Sequence, residues 1–324
     1  VAVAKGKRRL TAATSLERSF MHAIVLKYFV EVARCGSVRK ASEALHVAAS
    51  AVNRQVLNLE EELGVELFDR LPAGMRLNPA GERLLRHIQG TLHDFQVVRT
   101  EIDALKGDRS GHIKVVSMDS LFLDLLPAVV AEFSQVYPAA TYTMTAAQPM
   151  DVAAAVLSGQ ADIGCSFVGR LPTGVAAVVL AALPFGIVMP PGHPLAGQDQ
   201  VSLADCARYP FMRSSSQPAV SSVTSPEFAK FWDEIEPVAT CSWTPMLKKL
   251  IIAGKGISCF SKIAFIDELE RGELVWRPFD LPALNEMQVG ILVPTQRVLP
   301  HVTQNFVARM TKKLKQLEAV AAAV

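Results

Sequence analysis

Four polar residues, Ser50, Asn53, Arg54 and Asn58, recur at steps of three, one and four within the stretch AASAVNRQVLNLEEEL. At 3.6 residues per turn they share one side of a helix, while Val52, Val56, Leu59 and Leu63 share another. An Asn amide offers a donor beside an acceptor, and Arg offers a planar fork of donors. Both can therefore bond a base edge bidentately, and Arg can equally take a phosphate. The apolar side would fasten the helix to its own domain. An exposed Asn-Arg pair is also compatible with plain solvated surface, so the flanking elements have to decide between the two.

No other cluster of residue types points to chemistry. The chain has no GxSxG, HExxH or P-loop pattern, its seven histidines are dispersed, and His193 in PPGHPL reads as a turn residue. The five cysteines, Cys35, Cys165, Cys206, Cys241 and Cys259, are scattered and never spaced as CxxC. That pattern excludes a disulfide framework and a structural zinc site, and it fits a reducing compartment. No catalysis, cofactor or metal is expected.

The elements around the polar helix favour recognition over bare surface. Leu26, Phe29, Val30 and Ala33 mark a first helix ending at Gly36, and Ser37 is placed to cap a second that runs to Leu45. His46-Val47 makes a tight connection, with His46 read as a turn residue near a left-handed conformation. Two short extended pieces follow, near Leu67-Phe68 and Met75–Leu77, joined through Pro72-Ala73-Gly74 as a β-wing. Two helices joined by a tight turn, with a polar outer face on the second, form a helix-turn-helix whose second helix fits the major groove of B-DNA. Arg39, Lys40 and Arg76 would then meet flanking phosphates. Glu60-Glu61-Glu62 would mark where the helix leaves the groove.

Charge agrees with this. Residues 1–58 carry ten Lys/Arg against three Asp/Glu, whereas the net charge of the whole 324-residue chain is only +2. A basic end on a near-neutral body suits a polyanion-binding head. Residues 1–20 are expected to be a polar extension without fixed structure. The basic start of the chain is not followed by a secretory apolar run, and no run approaches the ~20 apolar residues that cross a bilayer. Cytoplasm is the expected compartment, with no membrane partner.

After Asn78, a helix beginning at Pro79 should continue to about Leu105, a span of about 40 Å. Leu85, Ile88, Leu92, Phe95 and Ile102 form a stripe on it, interrupted by Arg99. The stripe either packs on its own domain or pairs with a second copy as a dimerising coiled coil, and the second reading is adopted. Residues 106–111 read as a hinge. Beyond them strands alternate with helical runs, which predicts βαβ units, a largely parallel sheet and two α/β lobes with a cleft between them. The expected boundaries are 21–78 for the head, 79–106 for the linker helix and 107–324 for the two-lobed domain. Its first lobe should span about 111–187 and 289–320, and its second about 188–288.

Through GSVRKASEALHVAASAVNRQVLNLEEELGVELFDR and LNPAGERLL, residues 36–70 and 77–85, the sequence resembles the LysR-type transcriptional regulators. Segments such as LSGQADIGCSF and DELERGELV continue the resemblance more loosely to near the end. It implies a winged helix-turn-helix, a linker helix and a Rossmann-like effector domain of periplasmic-binding-protein type. It further implies homo-oligomers, dimers or tetramers, that bind double-stranded DNA, with RNA polymerase as a further partner. This chain departs from the family at Ala48, Ala49 and Asn53, where a hydroxyl, a Gln and a Ser are common. Ala49 therefore lies on the DNA-binding face without a base-reading amide, and the half-site is left open.

The resemblance also maps an effector site onto Ser117, Ser120, Gln148, Phe167, Val168, Thr244 and Pro245, with Asp119 beside them. Helix starts at Ser120 and Thr244 would offer unpaired N–H groups to a small molecule, a carboxylate being one candidate. The plainer alternative is that Asp119, Ser120 and Thr244 only cap their helices. Asp119 would repel a carboxylate unless it pointed outward. Two rival readings remain: a solute-binding protein without gene control, and a regulator that senses redox state through its cysteines.

Overall fold

The computed structural model describes residues 24–71, 74–105, 111–215 and 225–323. The extension expected over 1–20, the Pro72-Ala73 step of the wing and residues 106–110 of the hinge lie outside them. The chain divides into two compact units, the first ending at Leu92 and the second starting at His93.

In the first unit, helix α1 covers residues 24–35 and stops at Gly36, whose φ of 61° suits glycine. Helix α2 (Val38–Leu45) starts on Ser37, whose hydroxyl accepts the Lys40 amide, and ends on His46 in the left-handed region at φ 55°. Helix α3 (Ala49–Leu63) has no side-chain cap at Ala48 and closes on Gly64 at φ 67°. Strands β1 (Phe68–Leu71) and β2 (Gly74–Leu77) pair antiparallel as the wing. A Cβ at Gly74 would come within 2.4 Å of the Gly36 carbonyl, and the Met75 amide donates to that same carbonyl at 2.8 Å. The wing is thus seated on the turn between α1 and α2.

Helix α4 (Pro79–Leu105) begins where Asn78 Oδ1 accepts the Gly81 amide at 2.9 Å. The core of this unit joins Phe29, Val32, Val52, Val56, Leu59, Phe68 and Ile88, with Leu84 and Leu85 packed against it. Two expectations change here. Leu63 was placed on the buried stripe of α3 but is 48% exposed, because the helix runs one turn past the core. Of the expected α4 seam, Leu85 and Ile88 are used by the head's own core, while Phe95 is 64% exposed. The side chains of Leu92, Arg99 and Ile102 lie outside the described residues.

In the second unit, strands β3 (Gly111–Ser117), β4 (Ala140–Ala146), β5 (Ile163–Phe167), β6 (Val175–Ala182) and β12 (Gln288–Pro294) form one sheet in the order β4-β3-β5-β12-β6. Strands β7 (Phe185–Met189), β8 (Phe211–Ser214), β9 (Ala239–Cys241), β10 (Ile257–Ser261) and β11 (Val275–Pro278) form the other, in the order β11-β7-β10-β8-β9. Helices α5 (Leu125–Val136), α6 (Pro149–Leu157) and α12 (His301–Ala323) belong to the first lobe. Helices α7 (Leu203–Cys206), α8 (Pro226–Glu234), α9 (Thr244–Ile252), α10 (Ile266–Glu270) and α11 (Pro282–Asn285) belong to the second.

The expected largely parallel sheet is in fact two mixed sheets. Strand β3 runs parallel to β4 and β5, and β8 parallel to β9 and β10, but β12 opposes both β5 and β6, and β7 opposes β10 and β11. Parallel neighbours need a crossover of a dozen or more residues. Here the chain passes between lobes through the short link Leu183-Pro184 and returns as β12, which enters its sheet against its neighbours. The run KIAFIDELERG is a 3₁₀ turn followed by the short α10, broken at Phe265 (φ −139°). Phe265 is fully buried against Phe260 at 5.1 Å.

Candidate DNA-binding face and effector site

On α3, Val52, Val56 and Leu59 face inward while Ala49, Ser50, Arg54 and Asn58 are exposed and Asn53 is half-buried. None of Ser50, Asn53, Arg54 and Asn58 has a side-chain hydrogen bond or ion pair among the described residues. The helix therefore presents a row of donors and acceptors that only water satisfies. Nearby, Ser37 is engaged as the α2 cap, Arg39 reaches Glu43 at 3.3 Å, and Lys40 is exposed. Arg76 on the wing is 72% exposed and lies 3.5 Å from Asp69 across the strand pair. Exposed pairs of this kind contribute little and exchange readily for phosphate. Glu60 turns back to accept the Leu67 amide at 2.7 Å, which ties the end of α3 to the wing.

Of the residues expected to hold an effector, Asp119, Thr244 and Phe167 lie where the first lobe meets the second. Strand β3 ends at Ser117, which is fully buried and donates to the Met118 carbonyl at 3.1 Å. Asp119 then crosses to the other lobe. Its Oδ2 accepts the Thr244 hydroxyl at 2.5 Å and the Thr244 amide at 3.3 Å. Thr244 opens α9 and is fully buried, with Pro245 next to it in the first turn. The anion position at that helix start is therefore already filled by a carboxylate of the chain itself. Thr244 is not a cap for its own helix, because Asp119 takes that part from across the lobes.

Ser120 is buried, and its hydroxyl has no hydrogen bond among the described residues. Gln148 precedes α6 without capping it through its side chain. Phe167, the last residue of β5, and Val168 after it diverge, as successive residues of an extended chain do. Phe167 packs into the cores of both lobes, edge-on to Phe185 at 5.1 Å. Val168 packs with the apolar cluster around α6, where a Cβ on Gly290 would come within 2.5 Å of it.

Sequence reasoning missed several neighbours. Trp243 and Met246, at the start of α9, are exposed large apolar side chains beside the Asp119–Thr244 bond. Lys248 and Glu268 form an ion pair at 2.9 Å with both side chains mostly buried. Burial raises the Asp124 carboxyl above the usual range, against an opposing effect of Lys248. Period and spacing carry no signal for side-chain contacts between separate elements, whether twenty residues apart, as Lys248 and Glu268 are, or more than a hundred, as Asp119 and Thr244 are.

Two family models match the chain. Residues 25–82 match the bacterial regulatory helix-turn-helix protein of the lysR family, and residues 106–315 match the LysR substrate binding domain. The chain belongs to the LysR-type transcriptional regulators. It is a DNA-binding regulator with an effector-binding domain, and the family is non-enzymatic.

Among relatives of this LysR-type regulator, it is 28% identical to the transcriptional dual regulator GltC of Bacillus subtilis over 306 residues, covering 90% of this chain and 98% of GltC. It is 29% identical to the regulator CbbR of Rhizobium meliloti over 255 residues, covering 75% and 78% of the two chains. In fold it is similar to full-length CbnR in complex with its target DNA, with a TM-score of 0.55 at 19% identity, covering 90% and 98%.

The cysteines of this LysR-type regulator are all free. Cys165, Cys206 and Cys259 are buried, and burial pushes each thiol well above its ordinary range. Such thiols hold little thiolate, the reactive form. Among the described residues, no helix is long and apolar enough to cross a membrane, and no cluster of three or more His, Cys, Asp and Glu is placed to hold a metal ion.

Proposed function

We propose that this regulator reads a specific DNA sequence through the outer face of α3 and responds to a small molecule bound between the lobes at Asp119 and Thr244. The observation that carries the effector reading is the Asp119–Thr244 bond, the point where a loop of one lobe meets a helix start of the other. A ligand there replaces a carboxylate that the chain supplies to itself. It therefore presents an acceptor to the Thr244 hydroxyl and amide, a hydroxyl or amine donor to the released Asp119, and apolar surface to Trp243 and Met246; a simple carboxylate, which lacks the donor, fits less well. Ser117, Ser120, Gln148 and Pro245 complete the polar and backbone surroundings in this reading.

On DNA, Ser50, Asn53, Arg54 and Asn58 read bases or phosphates, with Lys40, Arg39 and Arg76 on flanking phosphates. The protein acts as a homo-oligomer in the cytoplasm, paired through the half of α4 that carries exposed Phe95 and Val98. Ligand changes how paired heads engage DNA only if it binds one lobe arrangement better than another.

The test is a DNase footprint of the wild type and of Thr244→Val, with and without ligands taken from a thermal-shift screen of amines, alcohols and amino acids. Thr244→Val keeps the shape and removes the hydroxyl. The footprint without ligand should persist while the response to ligand weakens. A mutant that responds at the wild-type ligand concentration would place the effector elsewhere.

A further inference from the structure

Beside the first passage of the chain between lobes, a cavity of about 360 Å³ opens between Leu183-Pro184, Trp276 on β11 and the end of α12. None of the residues expected to hold the effector lines it. Its aromatic wall is fixed in place. The Trp276 indole donates to the Phe260 carbonyl at 2.9 Å, and a Cβ at Gly186 would come within 2.4 Å of the ring. Glycine at 186 is therefore what allows the indole to lie where it does.

Lys262 holds its ammonium 4.7 Å from the centre of that ring and donates to the Ala321 carbonyl at 3.0 Å. An ammonium has three donors, and no carboxylate pairs with Lys262 among the described residues. Burial, and then the nearby charge of Arg277, makes its protonated form less favourable, a cost that an incoming anion would offset. Glu318, also in the lining, is already engaged, accepting the Ala182 amide at 2.5 Å and Lys315 at 2.7 Å. The remaining walls are apolar.

We propose that this cavity is a second ligand site, distinct from the Asp119–Thr244 mouth, and that it takes a flat apolar monocarboxylate with its ring on Trp276 and its carboxylate on Lys262. The volume suits one or two fused rings, at the small end of ligand pockets. Glu318 disfavours a second carboxylate, and Lys262 disfavours an amine. Both lobes contribute walls, Trp276 and Lys262 from one and α12 from the other, so an occupant is coupled to the angle between them. The inference stands without the effector reading, since it uses none of that site's residues.

The experiment is a calorimetric titration of the full chain with naphthoate, and with neutral naphthalene methanol as control. Naphthoate should bind, Lys262→Met should weaken it by about tenfold or more through loss of the charge-assisted bond, and Thr244→Val should change it far less than Lys262→Met does. The alcohol should bind more weakly and be indifferent to Lys262→Met. If Lys262→Met does not fold, Ala322→Phe adds bulk at the rim without removing a contact and should weaken naphthoate to the same extent. Absence of binding up to millimolar naphthoate overturns the proposal. So does loss of binding in Thr244→Val but not in the cavity variants, because the acid would then occupy the mouth.

Discussion

The outer face of α3 and the mouth between the lobes are built from similar side chains in opposite states. On α3, Ser50, Arg54 and Asn58 stand in water with no protein partner among the described residues. At the mouth, Asp119 and Thr244 have found each other across two lobes. A duplex has a constant shape, so groups that read it can wait hydrated in fixed positions. A hydroxyl buried where two lobes meet needs a partner, because leaving it unpaired costs about 1–3 kcal/mol, and half-buried Asp119 supplies one. Binding at the head therefore adds contacts, whereas binding at the mouth exchanges one set for another.

The comparison can be broken most sharply at the head. Arg54→Ala should weaken operator binding by about 1–3 kcal/mol at fixed salt, since a waiting group contributes its whole bond on contact. Affinity unchanged in a folded protein would mean that the face is only solvated surface.

A smaller effect is expected at the mouth. Asp119→Asn keeps the shape but replaces a charged acceptor by a neutral one, so the effector unit should lose about 1 kcal/mol, read as a lower melting temperature. The same change vacates the anion position at the start of α9. Sulfate should then raise the melting temperature of the variant more than that of the wild type. Equal responses would show that Asp119 does not hold that position against anions.

Asp124 gives the smallest effect and a third condition, half-buried without a side-chain hydrogen bond among the described residues. Burial raises the pKa of its carboxyl. A carboxyl raised on folding contributes stability that is complete below its unfolded pKa and is lost as pH rises through the folded value. Asp124→Asn should accordingly raise the melting temperature at neutral pH, and the gain should fade in acid. A gain independent of pH would assign the effect to packing instead.

The head was legible because its information is local. Steps of three and four separated the inner residues of α3 from the outer ones, Ser37 and Asn78 capped as their types require, and His46 took the left-handed turn. Leu63 and the early α4 seam misled for the same reason, since periodicity assigns a face but not the point where the core ends. The two lobes were legible as alternation, but the opposing direction of β12 depends on a return from another lobe, which no local pattern records. Strand β6, with its run of small apolar residues, carries no alternation to separate it from a helix. The Trp276–Lys262 cavity was not legible at all, because its walls come from the end of β6 and the Leu183-Pro184 link, β11, the turn after β10 and α12, brought together only by the finished topology.

That topology also sets an order of manufacture. The five strands of the second sheet lie between Phe185 and Pro278 and leave the ribosome before β12 exists. Strand β6 has β12 as its neighbour in the first sheet and no other. During synthesis the inserted lobe can therefore finish while its host still lacks a strand, and VAAVVLAA waits as an uncharged, β-prone segment with both edges open. The stretch from the end of β6 at Ala182 to the end of β12 at Pro294 is thus a window of exposure to aggregation, and it closes when β12 slides between β5 and β6.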